Sequence, residues 1–173
     1  DELERLYRAS ESLLLSESFD VHSLGETIVD VLIREFDHSN CSVVLVNENS
    51  NTLELIAVAG SYARELKGAI LRLDGPGVIP EAIRKRRMII VADVQTSNMY
   101  VPNWSQARSE LAVPLIVGEN VIGALDVQSK ALGAFDTDDE RRMAVFADRA
   151  AMALERVRIY EREKLGLERM SAL

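Results

Sequence analysis

The chain has 173 residues, of which 47% are hydrophobic and 28% are charged, and this fits one globular domain with a helix or two in addition. Its net charge of −8 argues against a surface for nucleic acid or anionic lipid, both of which attract clustered basic side chains. A single cysteine excludes an internal disulfide and a metal cage of several thiolates, and no apolar run approaches the roughly 20 residues of a membrane span. We therefore expect a cytoplasmic domain without contacts to membrane or nucleic acid, and a first residue other than Met suggests a piece of a longer chain.

Two helices are predicted before the first strand. The first covers residues 1–17, where Leu3, Leu6 and Leu13 recur on one helical face behind an acidic start. A second helix follows, with Ser23 as its predicted N-cap and its apolar residues on one side.

The middle of the chain predicts six strands, which are Cys41–Val46, Thr52–Ala59, Ala69–Leu73, Met88–Val91, Ser109–Val117 and Val121–Gln128. The first two flank a polar turn and the last two flank Gly118-Glu-Asn120, so each pair predicts a hairpin. The last hairpin is apolar at nearly every position, which places it inside the sheet with both faces covered. Pro114 predicts a bulge or an unpaired position in it, because proline cannot donate to the ladder.

A short helix and a long loop interrupt the strands. A glycine-rich turn leads into the helix, which covers Val78–Arg86. The polar segment Asp93–Arg108 contains Tyr100 and Trp104, and loops of this length in compact domains are often lids or binding loops.

The last helix begins after Asp136, and Asp139 stands at the third position of a capping box. Apolar residues then recur at alternating spacings of four and three, and they are Met143, Ala147, Ala150, Leu154 and Val157. Such a heptad-like stripe indicates a helix that packs against another helix.

A series of short motifs occurs in order along the chain. They are Gly75-Pro-Gly-Val78, Ala92-Asp-Val94, Met99-Tyr100, Arg108-Ser-Glu-Leu-Ala-Val-Pro-Leu115, Val121-Ile-Gly-Ala-Leu-Asp-Val-Gln-Ser129, Ala134-Phe135, Phe146-Ala-Asp148, Ala153-Leu-Glu155 and Ile159-Tyr160-Glu161. In this order and spacing, across about residues 20–161, the set resembles the GAF domain, a small-molecule sensor module of signalling proteins.

The resemblance implies an α+β fold with a central antiparallel sheet of about six strands. The N- and C-terminal helices would pack on one face, and the other face would hold a ligand pocket roofed by Val78–Arg86 and Asp93–Arg108. The ligand contacts that we predict from it are Gly77, Val78, Ile79, Val94, Met99, Tyr100, Trp104, Ser109, Glu110 and Ala112. The helix N-terminus after Gly77 would offer N–H groups to an anionic or carbonyl group, and Glu110 would accept hydrogen bonds from ligand N–H groups.

Each of these residues has a structural alternative. Tyr100 and Trp104 could equally well be core residues that cover the face of the sheet, and Gly77 could be a glycine that the turn requires. Cys41 in an apolar strand is expected to be a core residue. No metal site is expected, since neither His22 nor His38 has a second ligand at metal-binding spacing.

The resemblance also narrows the cofactors and activities. Relatives that reduce free methionine sulfoxide use several cysteines, so with Cys41 alone we expect no enzymatic activity. Covalent bilin would require a pocket cysteine and haem a pocket histidine, and the expected pocket segments contain neither, so no cofactor is expected. Cyclic nucleotides stay open as ligands, although the Asn-Lys-Phe-Asp-Glu pattern of relatives that bind them is missing.

Two functional hypotheses follow. In the first, a small molecule biases the packing of the terminal helices, which pass the signal to an output domain of a larger protein such as a histidine kinase of a two-component system. In the second, side chains fill the pocket and the domain is a ligand-free dimerisation and relay module. The predicted homodimer interface comprises Leu3, Leu6, Leu13, Ala147, Ala150, Leu154 and Val157. Residues 1–19 would form the dimerisation helix, 20–161 the GAF domain and 162–173 the start of a linker helix.

Overall fold

The computed structural model describes residues 4, 5, 8, 20–36, 40–61, 70–99 and 105–173. The predictions made for Leu3, Leu6, Leu13, Tyr100 and Trp104 lie outside the described residues.

The described elements are three helices that stand before, between and after two groups of three strands. In chain order they are α1 (Val21–Phe36), β1 (Asn40–Asn47), β2 (Thr52–Gly60), β3 (Leu71–Arg72), α2 (Val78–Lys85), β4 (Ile89–Val91), β5 (Ser109–Val117), β6 (Asn120–Ser129) and α3 (Thr137–Ser171). All six predicted strands are present, and their bounds agree with the predicted ones to within two residues.

The strands form one six-stranded sheet in the order β3-β2-β1-β6-β5-β4, and all neighbours are antiparallel. This confirms the predicted α+β fold and places the β5–β6 hairpin inside the sheet. The bulge lies elsewhere than predicted: Pro114 pairs in register with Ala124, and the register shifts after Leu115, where Ile122 of β6 is the extra residue. The bulge therefore belongs to the strand that faces the proline.

Side-chain caps begin both long helices. The carboxylate of Asp20 accepts hydrogen bonds of 2.8 Å from the backbone N–H and from the hydroxyl of Ser23, so Asp20 is the N-cap of α1 and the assignment to Ser23 was wrong. At the start of α3, Asp136 and Asp139 each accept a 2.9 Å bond from the other's backbone N–H, which confirms the predicted capping box.

The larger core lies between the sheet and the pair α1 and α3, which pack together on one face. Its largest fully buried apolar side chains are Leu24, Ile28, Leu32, Leu111, Leu115, Leu125, Met143, Phe146 and Leu154. We call this side of the sheet the α1/α3 face.

The stripe on α3 that predicted a dimer interface lies in this core. Ala147, Ala150, Leu154 and Val157 are between 0 and 7% exposed within a single chain. Their assignment to an interface is therefore corrected, because the sheet and α1 already cover the apolar side of α3. A heptad-like spacing shows that a helix side is covered but not which element covers it.

The other side of the sheet, which we call the α2 face, carries a smaller core. The helix α2 packs on β5 and β6 through Val78, Ile79, Ala82 and Ile83, all at most 5% exposed. Of the helices that the structure describes, none combines the length and apolar character needed to cross a membrane. Among the same residues, no cluster of His, Cys, Asp and Glu is arranged to hold a metal ion.

Candidate functional site

Five polar side chains are buried together on the α2 face, and we call them the polar patch. They are Asn40 and Ser42 of β1, Asp126 and Gln128 of β6, and Glu110 of β5, all at most 3% exposed. The strand register sets Asn40, Gln128 and Glu110 in one row across the three strands. Ser42 and Asp126 form the next row, which continues to Ala112. Because alternate residues of a strand share a face, all five side chains meet at one end of the sheet.

The amide of Gln128 joins the two carboxyl groups of the patch. Its Nε2 donates to Glu110 Oε1 at 3.4 Å and to Asp126 Oδ2 at 3.2 Å. The two carboxyl groups are also within hydrogen-bonding reach of each other. In the part of the chain that the structure describes, Glu110 Oε2 and Asp126 Oδ1 are buried without a hydrogen-bond partner. Buried oxygens of this kind are the groups that a bound ligand would satisfy.

Burial changes the charge of this pair. Desolvation raises the pKa of Glu110 well above its ordinary value, and the neighbouring charge of Asp126 raises it further. Desolvation also raises the pKa of Asp126, to about 6. Hydrogen bonds with Glu110 and Gln128 favour the ionised form of Asp126 and lower its pKa, but desolvation is the larger effect. The pKa values of both carboxyl groups are therefore raised, and the two groups titrate as one coupled pair.

The rest of the α2 face is apolar. The structure brings Val78, Ile79, Val94, Met99 and Ala112, five of the predicted ligand contacts, together in one hydrophobic core cluster beside the polar patch. The sheet contributes small, fully buried side chains here, Ala112 of β5 and Ala124 of β6.

Two further residues that were predicted as ligand contacts stabilise the fold. Gly77 has a φ of 123°, a conformation that favours glycine, and it caps α2 without a side chain. Ser109 lies on the α1/α3 face, where its hydroxyl donates a 2.7 Å bond to Ala131 O and is 3.4 Å from Ala134 N. The structure therefore places Ser109 away from the other described candidates, at the connection between β6 and α3.

The loop that follows β4 is closed at its base. The N–H of Val94 donates to Arg108 O at 2.8 Å, and the guanidinium of Arg108 lies 3.7 Å from the carboxylate of Asp93. These contacts hold the two described ends of the loop beside Glu110.

Four members of the polar patch were not predicted as site residues from the sequence: Asn40, Ser42, Asp126 and Gln128. A signal was available for two of them: Asp126 and Gln128 alternate within an otherwise apolar strand, where buried polar residues are unusual. The position of β1 beside β6 brings in the other two, and this pairing joins segments about 85 residues apart.

The single cysteine lies on the opposite side of the sheet. Cys41 is fully buried on the α1/α3 face, with its Sγ 3.4 Å from Val29 O. Desolvation, with smaller contributions from Asp126 and Asp30, raises the pKa of its thiol to about 12. Cys41 is thus an inert core residue at neutral pH.

Two grooves of about 390 Å³ each lie at the end of the sheet away from the polar patch. One runs between α3, the β1–β2 turn and the start of α1, and the other between the end of α2 and the β5–β6 turn. Arg158 lines both, and neither contains a predicted ligand residue.

Comparison with known proteins identifies relatives along most of the chain. The GAF domain family model matches residues 19–155. GAF domain-containing protein A of Dictyostelium discoideum is 30% identical over 143 residues, which cover 82% of this chain and 85% of that protein. The free methionine-R-sulfoxide reductase of Escherichia coli is 30% identical over 67 residues, 39% of this chain and 41% of that protein. The structure of the free methionine-R-sulfoxide reductase of Neisseria meningitidis, in complex with its substrate, is similar with a TM-score of 0.80 and 25% identity over 91% of this chain and 90% of that chain.

These relatives correct one expectation and confirm another. The expectation that the domain has no enzymatic activity is wrong, because two of the similar proteins are reductases and therefore enzymes. The resemblance stated from the motifs is confirmed by the family model and by the relative that spans most of both chains. This chain belongs to the GAF domain family.

Proposed function

We propose that the domain binds a small molecule on the α2 face, above the polar patch, and that binding regulates an output domain through α3. The observation that carries this proposal is the pair of buried carboxyl oxygens on Glu110 and Asp126 that lack partners among the described residues. A polar group buried without a partner costs free energy, and a ligand that supplies the partner recovers it.

The strand β1 offers a mechanical route from the patch to α3. Its first residues, Asn40 and Ser42, belong to the patch, and its far end meets α3 through a 3.0 Å bond from Arg158 to Val46 O. The helix continues to Ser171, so its 35 residues extend about 52 Å. A ligand shifts such a helix only if it binds two arrangements with different affinity.

Three polar contacts hold the outer part of α3 against the domain. Besides Arg158, the carboxylate of Glu161 accepts a 3.2 Å bond from Val21 N, and Arg162 lies 3.8 Å from Glu48. Single contacts of this kind are weak enough to rearrange, because one hydrogen bond contributes about 1 kcal/mol to stability and an exposed ion pair contributes less. They are the candidates for a two-state element that a ligand would bias.

Dimerisation belongs to the same proposal, with a different surface from the one first predicted. Val145, Met152 and Ile159 follow one another at intervals of seven on the outer side of α3, and they are 42 to 56% exposed. A second copy that packs along this stripe would form a two-fold pair of helices.

The binding proposal is tested by thermal melts of the domain in the presence of free amino acids, methionine sulfoxide or cyclic nucleotides. A compound at 100 times its dissociation constant adds about 2.7 kcal/mol, which for this size raises the midpoint by roughly 5–10 °C. We expect one class of compound to give this shift, and Glu110→Gln with Asp126→Asn to abolish it. Asp138→Asn, an exposed carboxylate on α3, is the matched control. A shift that survives in the patch variants would place the ligand elsewhere, and a flat panel would favour the relay module without ligand.

A second candidate function, reduction of a free sulfoxide, is supported by the similarity to two free methionine-R-sulfoxide reductases. Reduction of a sulfoxide to a thioether by thiols consumes two thiols and releases water and a disulfide. Cys41 supplies one, on the other side of the sheet and with its pKa raised to about 12. We therefore propose that any such reaction by this chain would take its electrons from an added dithiol rather than from Cys41.

The assay follows loss of free methionine-R-sulfoxide with dithiothreitol as the reductant. If the domain catalyses the reaction, Cys41→Ala should retain the rate, whereas Asp126→Asn should lower it. A rate equal to that of dithiothreitol alone would reject this second function.

A further inference from the structure

We propose that the polar patch selects ligands that carry a protonated amine or another cationic N–H group, which is bound between the carboxyl groups of Glu110 and Asp126. This inference rests on the proposed small-molecule site and names the chemical class of its ligand. The geometry that supports it is the pair of acceptor oxygens, Glu110 Oε2 and Asp126 Oδ1, left buried and unpartnered by the described residues.

The charge of the pair is not balanced by its described neighbours. The side chains beside it on β1 and β6, which belong to Asn40, Ser42 and Gln128, are neutral. Arg108, two residues before Glu110, is directed toward Asp93 at 3.7 Å. On α2, Arg84 and Lys85 pair with Glu81 at 2.6 and 2.8 Å. Within the described chain, no lysine or arginine is among the groups that affect either carboxyl.

A buried carboxylate without a cation is costly, and removing that cost favours a cationic ligand. The Gln128 amide donates to both carboxyl groups, and the two carboxyl groups lie within hydrogen-bonding reach of each other. The pair therefore offers acceptors rather than donors, which suits an ammonium, amidinium or guanidinium group.

The surroundings of the pair also limit the rest of the ligand. Ser42 and Ala112 flank Asp126 in its row across the strands, and Ala124 lies two residues before it on β6. All three side chains are small and at most 1% exposed. The apolar cluster under α2 begins at Ala112 and Ala124, so we infer a short aliphatic chain attached to the cationic group.

Matched probes separate the charge from the shape of a ligand. The proposed pairs are n-hexylamine with 1-hexanol, and L-norleucine with hexanoate, each titrated calorimetrically into the domain at pH 7.5 and at pH 5. We expect at least one amine to bind, and its partner without nitrogen to bind at least about tenfold more weakly, the equivalent of one charge-assisted hydrogen bond. Asp126→Asn should remove the preference for the amine, whereas Asp138→Asn should retain it.

The pH dependence supplies a second, independent readout. A cationic group prefers the ionised pair, so the amine should bind more weakly at pH 5, below the pKa of about 6 of Asp126. Equal affinity for an amine and its neutral partner, or tighter binding at pH 5, would overturn the cationic ligand and leave the small-molecule site in place. If neither the amines nor their partners bind, the inference of a cationic ligand is overturned. The thermal melts against the panel of compounds then decide whether the small-molecule site exists.

Discussion

The guanidinium of Arg158 donates a 3.0 Å hydrogen bond from its Nη2 to the carbonyl oxygen of Val46. The two residues are 112 positions apart in the chain. The bond crosses from α3 to the end of β1, and the other end of β1 lies in the polar patch. This contact therefore connects the candidate site to the outer turns of α3 along the length of β1.

Arg158→Ala should loosen the outer part of α3 without unfolding the domain. The lost bond is partly exposed, so we expect a decrease of about 1 kcal/mol or less in the free energy of unfolding. Hydrogen exchange should show faster exchange of backbone amides in residues 158–171. Arg156→Ala, which truncates an exposed arginine one position from Glu155, is the control and should leave this exchange unchanged. Equal protection in both variants would show that the bond to Val46 does not hold the helix.

Asp126→Asn should change how stability depends on pH. The pKa of Asp126 is about 6 in the folded domain, above its ordinary value of 3.8, so between these values the folded state binds the proton more strongly. The wild type therefore loses stability as pH rises from about 4 to 6, by an amount on the order of 3 kcal/mol for two units. Asparagine carries no such proton, so the variant should gain stability relative to the wild type over this window.

Urea unfolding at pH 4, 5, 6 and 7 measures this difference. Carboxylates whose pKa is lowered, such as Asp20 and Asp136, act in the opposite direction at lower pH, but they are common to both proteins and cancel. Asp138→Asn should follow the wild type at every pH. Parallel curves for Asp126→Asn and the wild type would contradict the raised pKa.

Gly123→Ala should be strongly destabilising. A Cβ at this position would lie 2.0 Å from Val44 O, and the obstacle is backbone of the paired strand, which cannot move aside without breaking the ladder. We expect a loss of about 3 kcal/mol or more, or no folded protein. The same substitution at Gly166 in α3, where a Cβ meets nothing within 4 Å, should be neutral or stabilising by up to about 1 kcal/mol. Chemical denaturation compares the two, and equal stability would contradict the close approach of β6 to β1.

Leu154→Glu and Met152→Glu separate the core from the proposed dimer surface. Leu154 is fully buried in one chain, so a carboxylate there should unfold the domain. Met152 is 56% exposed, so Met152→Glu should retain the melting temperature. If the stripe on α3 forms the dimer, sedimentation should show monomers for Met152→Glu. An unchanged dimer would place the interface elsewhere.

Only one of the five residues of the polar patch was predicted from the sequence as a site residue. Glu110 was predicted from the family motif, and the structure places it in the patch. Its partners Asp126 and Gln128 lie on the next strand of the same hairpin, so the turn at Gly118 already fixed their distance. Asn40 and Ser42 join only because β1 inserts beside β6, and no local pattern encodes that neighbour.

The apolar stripe of α3 illustrates the same limit. That Ala147, Ala150, Leu154 and Val157 share one side of a helix can be predicted from the sequence alone, because the helical period is local. The order of the elements, the capping box and the family can be predicted in the same way, since each depends on residues close together in the chain or on motifs in a constant order. The tertiary structure was needed to show that the sheet and α1 cover this stripe, and that Asn40 and Ser42 of β1 join the carboxyl pair. Both outcomes depend on contacts between distant segments, which the packing of the whole chain selects rather than any short stretch of it.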